Sequence, residues 1–312
     1  MISSTMREGA GKRALITGLT GFTGYYMAQE LTAAGYRVFG TAVAADVEPD
    51  GAPVDTFIVD MRDRAAVAAM IEQVRPDVVV HLAGIAFVAN ANVDLMYQVN
   101  VMGTRNLLEA LAACPHRPSA VLLASSANIY GNADVDVIDE RVAPAPANDY
   151  AVSKLAMEYM ARLWMDRLPI ILARPFNYTG VGQTDNFLLP KIVSHFRRGA
   201  REIELGNLAI ARDFSDVRAI VRSYRGLVGA AAGASWSSPA FNVCSGHSTS
   251  LQSVITMMEE MAGYQIDVRV NPAFVRSNDV LTLTGSRAKL DQAIGPVEQV
   301  PLIDTLRWMY HA

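Results

Sequence analysis

Short runs of β-branched and aliphatic residues alternate, through the first half of the chain, with longer stretches in which apolar residues return every three or four positions. Short apolar runs suit buried strands, the longer spacing suits helices, and their regular alternation predicts βαβ units around a parallel sheet. Strands are predicted at 13–17, 37–41, 55–59, 78–82, 120–124 and 170–173. Helices are predicted at about 22–34, 63–74, 94–113 and 148–168, with Gly35 closing the first and Pro76 stopping the second.

Beyond residue 176 the rhythm breaks, and glycine, proline and asparagine become frequent. A helix near 187–198, a small strand near 202–205 and an amphipathic run at 217–232 are predicted there. Residues 241–243 read as a strand returning to the sheet, followed by helices at about 250–262 and 302–310. A dinucleotide-type domain is therefore expected from 1–176 together with 213–243. A smaller lobe is expected from 177–212 and 244–312, with 133–147 a surface loop beside the site.

Composition narrows the function without naming it. At 312 residues, 51% hydrophobic and 19% charged, the chain suits a compact enzyme with a large core. A net charge of −4 gives no footprint for nucleic acid, and no apolar run is long enough to span a bilayer. Residues 1–11 lack the apolar stretch of an export signal and read as a loose tail, so a cytoplasmic location is expected. Cys114 and Cys244 read as free thiols; neither they nor the five histidines show metal-ligand spacing, so no metal site is expected.

Gly18-Leu19-Thr20-Gly21-Phe22-Thr23-Gly24 lies between the first predicted strand and the first helix. Glycines there permit a tight turn and close backbone approach, and the helix N-terminus offers N–H groups and a positive dipole end to a pyrophosphate. The spacing is Gly-x-x-Gly-x-x-Gly, not the commoner Gly-x-Gly-x-x-Gly, but its place at the first βα turn marks a dinucleotide site. Strand two ends in Gly40-Thr41-Ala42-Val43, with neither the acid of an NAD site nor the base of an NADP site. Thr41 and a small pocket would tolerate a 2′-phosphate within reach of Arg62 or Arg64, which favours NADP(H) over NAD(H); Asp46 is the acid that could curl back. Asp60, after strand three, is placed to meet the adenine amino group or to cap a helix.

Asn148-Asp149-Tyr150-Ala151-Val152-Ser153-Lys154 opens a predicted helix. Residues four apart share a helix face, so the Tyr150 phenol and Lys154 ammonium project together. A fixed cation favours the phenolate, and such a pair passes a proton to or from an alcohol or carbonyl oxygen.

With His81-Leu82-Ala83-Gly84 after strand four, Asn100 in the long helix and Ser125-Ser126 after strand five, these residues resemble the extended short-chain dehydrogenase/reductase superfamily over nearly the whole chain. The resemblance implies a Rossmann-type, doubly wound α/β sheet with a smaller mixed α/β C-terminal lobe for a nucleotide sugar. It implies a catalytic set of Ser126, Tyr150 and Lys154. For the cofactor it implies Gly18, Thr20, Gly21, Phe22, Thr23, Gly24, Asp60, Met61, Leu82, Ala83, Gly84 and Asn100, together with Tyr150 and Lys154.

The second half narrows the branch. Arg174-Pro175-Phe176-Asn177-Tyr178-Thr179-Gly180-Val181-Gly182-Gln183 is similar to the Arg-x-Phe-Asn-His-Thr-Gly-Pro-Gly-Gln segment of GDP-mannose 4,6-dehydratases and GDP-4-keto-6-deoxy-mannose reductases, with Tyr178 and Val181 departing. The stretches 205–208 and 212–218, then 276–280 and 285–290, resemble later segments of the same branch. A GDP-sugar is thus the implied substrate. Arg212 and Arg276 would grip its diphosphate with Lys191 and Asn177 nearby, and Asp279 would accept from a hydroxyl.

In the dehydratases the stretch matching 124–131 carries a glutamate that removes the C5 proton. Here Asn128 stands in its place, and a carboxamide cannot act as general base. The resulting expectation is NAD(P)H-dependent reduction of a C4 carbonyl, with Ser126 and Asn128 against the sugar. A 4,6-dehydratase drawing an acid from Asp134 or Asp136, a sugar-nucleotide 4-epimerase, and a cofactor-sensing scaffold protein are the alternatives. A homodimer through helices 94–113 and 148–168 is expected from their apolar faces.

Overall fold

The computed structural model describes residues 7–43, 54–86, 92–233, 236, 238–272 and 282–312. Contacts cluster the chain into two units: Met1–Ile129 with Pro146–Arg174 and Val221–Phe241, and Tyr130–Ala145 with Pro175–Ile220 and Asn242–Ala312.

The first unit is built on a seven-stranded sheet. Its strands are β1 (Arg13–Thr17), β2 (Arg37–Ala42), β3 (Asp55–Ile58), β4 (Val78–His81), β5 (Ala120–Ala124), β7 (Ile170–Pro175) and β11 (Ala240–Val243). Their order is β11-β7-β5-β4-β1-β2-β3, and β1 pairs parallel with both β2 and β4. The chain thus winds one way to β3 and the other way from β4. The crevice beyond the β1 and β4 C-termini is where such sheets bind ligands. This is the doubly wound α/β architecture read from the sequence. Leu15, Val79, Val121, Leu123 and Leu172 of the sheet share one core cluster with α2 (Arg64–Val74), α4 (Thr104–Ala113) and α5 (Asp149–Arg162).

Two predicted helices differ in detail. The span 94–113 is not one α-helix: α3 (Val93–Tyr97) runs into a π-helical turn, Gln98–Gly103, before α4. The Thr104 hydroxyl donates to the Asn100 carbonyl at 2.8 Å, and a Cβ on Gly103 would lie 3.0 Å from that of Met61. A hydroxyl bonded back to the i−4 carbonyl is a recognised cause of such distortion. The helix predicted over 148–168 ends at Arg162, where bonds shorten to i−3: Leu163 N to Met160 O at 3.1 Å and Trp164 N to Ala161 O at 3.0 Å.

The second unit holds a five-stranded mixed sheet, β12 (Ser248–Ser250), β10 (Ala211–Asp216), β14 (Thr282–Gly285) and β6 (Val137–Ile138), with β8 (Asn177–Thr179) also on β10. β6 lies inside the stretch read as a loop, and its register on β14 pairs Val137 with Thr284. β9 (Glu202–Leu205) and β13 (Asp267–Val270) form a separate parallel pair. Leu189, Ile192 and Phe196 of α6 (Leu188–Arg197) pack with Leu251, Val254 and Met258 of α8 (Leu251–Ala262) and Leu306 and Met309 of α10 (Leu302–His311). Asp213 is fully buried and accepts from the Ser245 and Gly246 amides, the Ser245 hydroxyl and the Gly285 amide, which ties β10 to β14 and to the 244–246 turn. Among the described residues no helix is long and apolar enough to cross a membrane, and no His/Cys/Asp/Glu group could hold a metal ion.

Candidate active site

The turn after β1 is shaped by what its glycines lack. Gly18 has φ +73°, and a Cβ there would lie 2.9 Å from both the Ala83 amide nitrogen and Cα. A Cβ on Gly24 would lie 2.2 Å from the Gly18 carbonyl oxygen. The turn is held to β2 by the Gly18 amide donating to the Thr41 hydroxyl at 3.1 Å, and to the exit of β4 by the Leu82 and Ala83 amides donating to Thr17. α1 (Phe22–Ala33) starts at Gly21 with no side-chain cap and no acid in its first turn. Phe22 and Thr23 lie in that turn, with Thr20 just ahead of it. This uncapped helix N-terminus behind a glycine cradle suits the pyrophosphate of a dinucleotide.

At the β3 end, Asp60 caps no helix; Asp63 caps α2 by accepting from Ala65 N and Ala66 N. The Asp60 carboxylate is clamped by the Arg62 guanidinium, with Nε–Oδ2 at 2.9 Å, and that bond holds its acid well below the usual carboxylate range. Arg64 pairs instead with Glu109 at 2.6 Å. Met61 is buried. Thr41 is buried too, and its hydroxyl is occupied by the turn.

α5 begins at Asn148, whose side chain accepts from Ala151 N at 2.9 Å. One turn on, the Lys154 Nζ lies 5.9 Å from the centre of the Tyr150 ring and donates to the Ala124 carbonyl at 2.9 Å. A Cβ on Gly84 would come 3.2 Å from the same Nζ and 3.0 Å from the Asn100 Oδ1, so the β4 exit presses on this group. Burial pulls the Lys154 ammonium down to about 8, with Glu158 opposing the shift. Ser126, two residues past β5 and buried, accepts from the Asn128 amide at 3.1 Å; the Asn128 side chain is exposed.

Asn100 is buried in the π turn. Its Oδ1 accepts from Ile85 N at 2.8 Å, and its Nδ2 donates to Ile85 O and to Ser153 Oγ. Ser153 Oγ donates in turn to the Tyr150 carbonyl at 2.8 Å. The asparagine therefore braces α5 against the segment after Gly84. His81 bonds Thr17 at 2.6 Å and Thr104 at 2.8 Å, and burial, reinforced by Lys154, pushes it down to about 3. It is a neutral strut.

The second unit carries the other sequence candidates. Lys191 Nζ donates to Glu204 O at 2.8 Å, Asn177 Nδ2 to Asp213 O at 3.5 Å, and Arg212 to its neighbour Ala211 O at 2.9 Å. Arg276 and Asp279, like Asp46, lie outside the described residues. A group the sequence reading did not assign stands in the first unit: Ser125, Glu158 and Arg174 are all buried, and Ser125 and Arg174 both donate to Glu158. Its signal was Glu158, four residues after Lys154 on the same helix.

A dinucleotide cradle at the switch point and a tyrosine–lysine pair on α5 together define a short-chain dehydrogenase/reductase. Residues 15–309 match the family profile described as GDP-mannose 4,6 dehydratase, and the chain belongs to that family. It is 32% identical over 290 residues to a GDP-6-deoxy-D-talose 4-dehydrogenase of Aggregatibacter actinomycetemcomitans, with 91% of each chain covered. It is 31% identical over 311 residues, 95% of each chain, to a GDP-6-deoxy-D-mannose reductase of Pseudomonas aeruginosa. A solved Burkholderia cenocepacia protein described as a candidate epimerase superposes with a TM-score of 0.90 at 54% identity, covering 97% of this chain and 98% of its own. A structure of RMD from Pseudomonas aeruginosa complexed with NADPH superposes with a TM-score of 0.80 at 29% identity, covering 96% and 98%. The protein is an enzyme of this oxidoreductase class, acting on a sugar nucleotide.

Proposed function

We propose that the enzyme reduces the C4 keto group of a GDP-4-keto-6-deoxy sugar, of the GDP-4-keto-6-deoxy-mannose type, with NADPH used in preference to NADH. The observation that carries this reading is the Ser126/Tyr150/Lys154 set with Asn128 where a dehydratase would need a carboxylate. The names of the reductase and 4-dehydrogenase relatives support it, and the NADPH bound to one structural neighbour supports the cofactor choice.

The bound nicotinamide would supply the hydride to C4. Tyr150 gives its proton to the developing alkoxide, and Ser126 donates a hydrogen bond to the same oxygen. Lys154, fixed by Ala124, stabilises the tyrosinate that remains. Gly18, Thr20, Gly21, Phe22, Thr23 and Gly24 hold the pyrophosphate, with Asp60, Met61, Leu82, Ala83, Gly84 and Asn100 about the rest of the dinucleotide. Asn177, Lys191, Arg212, Arg276 and Asp279 are the second unit's candidates for the GDP diphosphate and hydroxyls.

NADPH oxidation followed by absorbance with GDP-4-keto-6-deoxy-mannose tests the reading. Stoichiometric oxidation with appearance of a C4 alcohol supports it, and cofactor binding without oxidation at high enzyme concentration overturns it. The structural similarity to a candidate epimerase favours one second reading, a 4-epimerase, which would interconvert sugars without consuming cofactor.

The enzyme is further proposed to be a homodimer through helices 94–113 and 148–168. Val152, Tyr159 and Leu163, spaced seven and four residues apart along α5 and its end, are 38%, 54% and 79% exposed, and Met102 on the π turn is 49% exposed.

A further inference from the structure

Behind Lys154 lies a buried charge cluster that hydride and proton transfer at Tyr150 do not use directly. Glu158 is fully buried one turn further along α5. Arg174, at the end of β7, grips it as a fork: Nε to Oε1 at 2.9 Å and Nη2 to Oε2 at 2.6 Å. Ser125, between Ala124 and Ser126, donates to Oε1 at 2.6 Å. The backbone closes the same joint, for the Ser125 amide donates to Ala173 O at 2.7 Å. Thus the carboxylate meets α5, the end of β5 and the end of β7 at one point.

A buried ion pair is poor value for stability alone, since desolvation commonly offsets the attraction and apolar residues of equal volume do as well. Its position suggests another use. Lys154 is buried, so desolvation favours its neutral amine. The titratable groups facing it are Tyr150 and Glu158 on its own helix and His81 on β4. His81 is neutral, so Glu158 is the anion that opposes desolvation. The helix fixes these two residues one turn apart, and Arg174 and Ser125 hold the carboxylate in one orientation.

We propose that Glu158 is a positioning residue for the catalytic lysine: its carboxylate, clamped by Arg174 and Ser125, keeps Lys154 charged and aimed at the Ala124 carbonyl while tying the Ser125–Ser126 turn to α5. Arg174 moderates that field, because its cation neutralises part of the charge that Lys154 senses. The inference rests on the reading of Lys154 as catalytic, and its direct test needs no substrate. The chain has four lysines, Lys12, Lys154, Lys191 and Lys289, so carbon-13 lysine labelling gives four side-chain signals, with K154R assigning one.

In E158Q, which keeps the side-chain shape and removes the charge, the Lys154 titration moves down by about one pH unit, and E158D restores it. The alkaline limb of turnover moves the same way. Should E158Q not fold, E158Q/R174Q leaves no lone buried charge and carries the test with a smaller shift of the same sign. A Lys154 titration and an alkaline limb that coincide with wild type in a folded variant, with only Tm lowered, overturn the proposal. Loss of turnover in wild type, with the lysine titration still shifting in E158Q, would instead count against the proposed substrate.

Discussion

The Asn100 amide donates to the Ser153 hydroxyl at 3.0 Å, one residue before Lys154. A side chain on the π turn thereby orients α5 from outside it. Replacing Asn100 with Ala leaves the Ile85 amide and carbonyl without their side-chain partner and frees Ser153. Turnover in N100A is expected to fall roughly tenfold or more, since small displacements of a catalytic pair are costly. Circular dichroism should remain native, and N100D should recover part of the loss through the Ile85 amide.

Tyr150 and Ser126 are predicted to act at the same oxygen. Y150F should lower kcat by about 10²–10⁴-fold, the usual range for a lost general acid. S126A should cost on the order of 10²-fold, as for a single oxyanion donor. Dinucleotide binding followed by fluorescence should persist in both. Unchanged kcat in Y150F would remove the tyrosine from the mechanism.

The glycine turn makes a graded prediction. A Cβ on Gly18 faces Ala83 backbone at 2.9 Å in a left-handed conformation, whereas one on Gly21 meets only the Gly18 carbonyl at 3.3 Å. Strain of about 1–3 kcal/mol corresponds to roughly 5- to 150-fold weaker dinucleotide binding in G18A, with a smaller effect in G21A. Calorimetry with NADPH and NADH reads both. For R62A, binding of NADPH should weaken while that of NADH holds; equal effects would separate Arg62 from the 2′-phosphate.

Acid should destabilise the fold through His81. Its folded-state value lies near 3 and its unfolded value near 6.5, so as pH falls through that window only the unfolded chain takes up the proton. Stability is complete above the upper value and is lost toward the lower one, by on the order of 5 kcal/mol at most. Urea unfolding at several pH values measures the slope. H81Q, weaker at neutral pH, should show a flatter slope.

L163E should convert the proposed dimer to a monomer, with light scattering giving the mass of one 33.7 kDa chain. A wild-type protein already of that mass at micromolar concentration would overturn the dimer.

Periodicity revealed the βαβ units because the central strands of the sheet are nearly continuous apolar runs, as in Val78-Val79-Val80. Tyr150 and Lys154 were legible because one helical turn is a local spacing. β9 was legible at 202–205, but the strands of the second unit's mixed sheet were not: β6 and β14 pair residues 137 and 284, and a two-residue strand leaves no period to read. The Glu158–Arg174 pair was equally hidden, since two charges sixteen residues apart look like ordinary surface residues until the fold buries them. The break at Gln98–Gly103 goes with the bonds Asn100 makes to Ile85 and Ser153 on other elements, which no local pattern records.

That break also sets a phase. A π turn holds about one residue more than an α-helical turn of the same rise, so it offsets the face of α3 from that of α4. Tyr97 lies just upstream of that extra residue, and its hydroxyl reaches Asp149 at the head of α5 at 3.2 Å. Deleting one residue from 98–103 would restore a regular helix with α3 and α4 both kept in place, since the π turn already absorbs the extra residue, and Leu107, Leu108 and Leu111 would stay seated. What such a deletion removes is the bulge that carries Asn100 to Ile85 and Ser153, so the packing of this stretch and the brace it extends to α5 are separable.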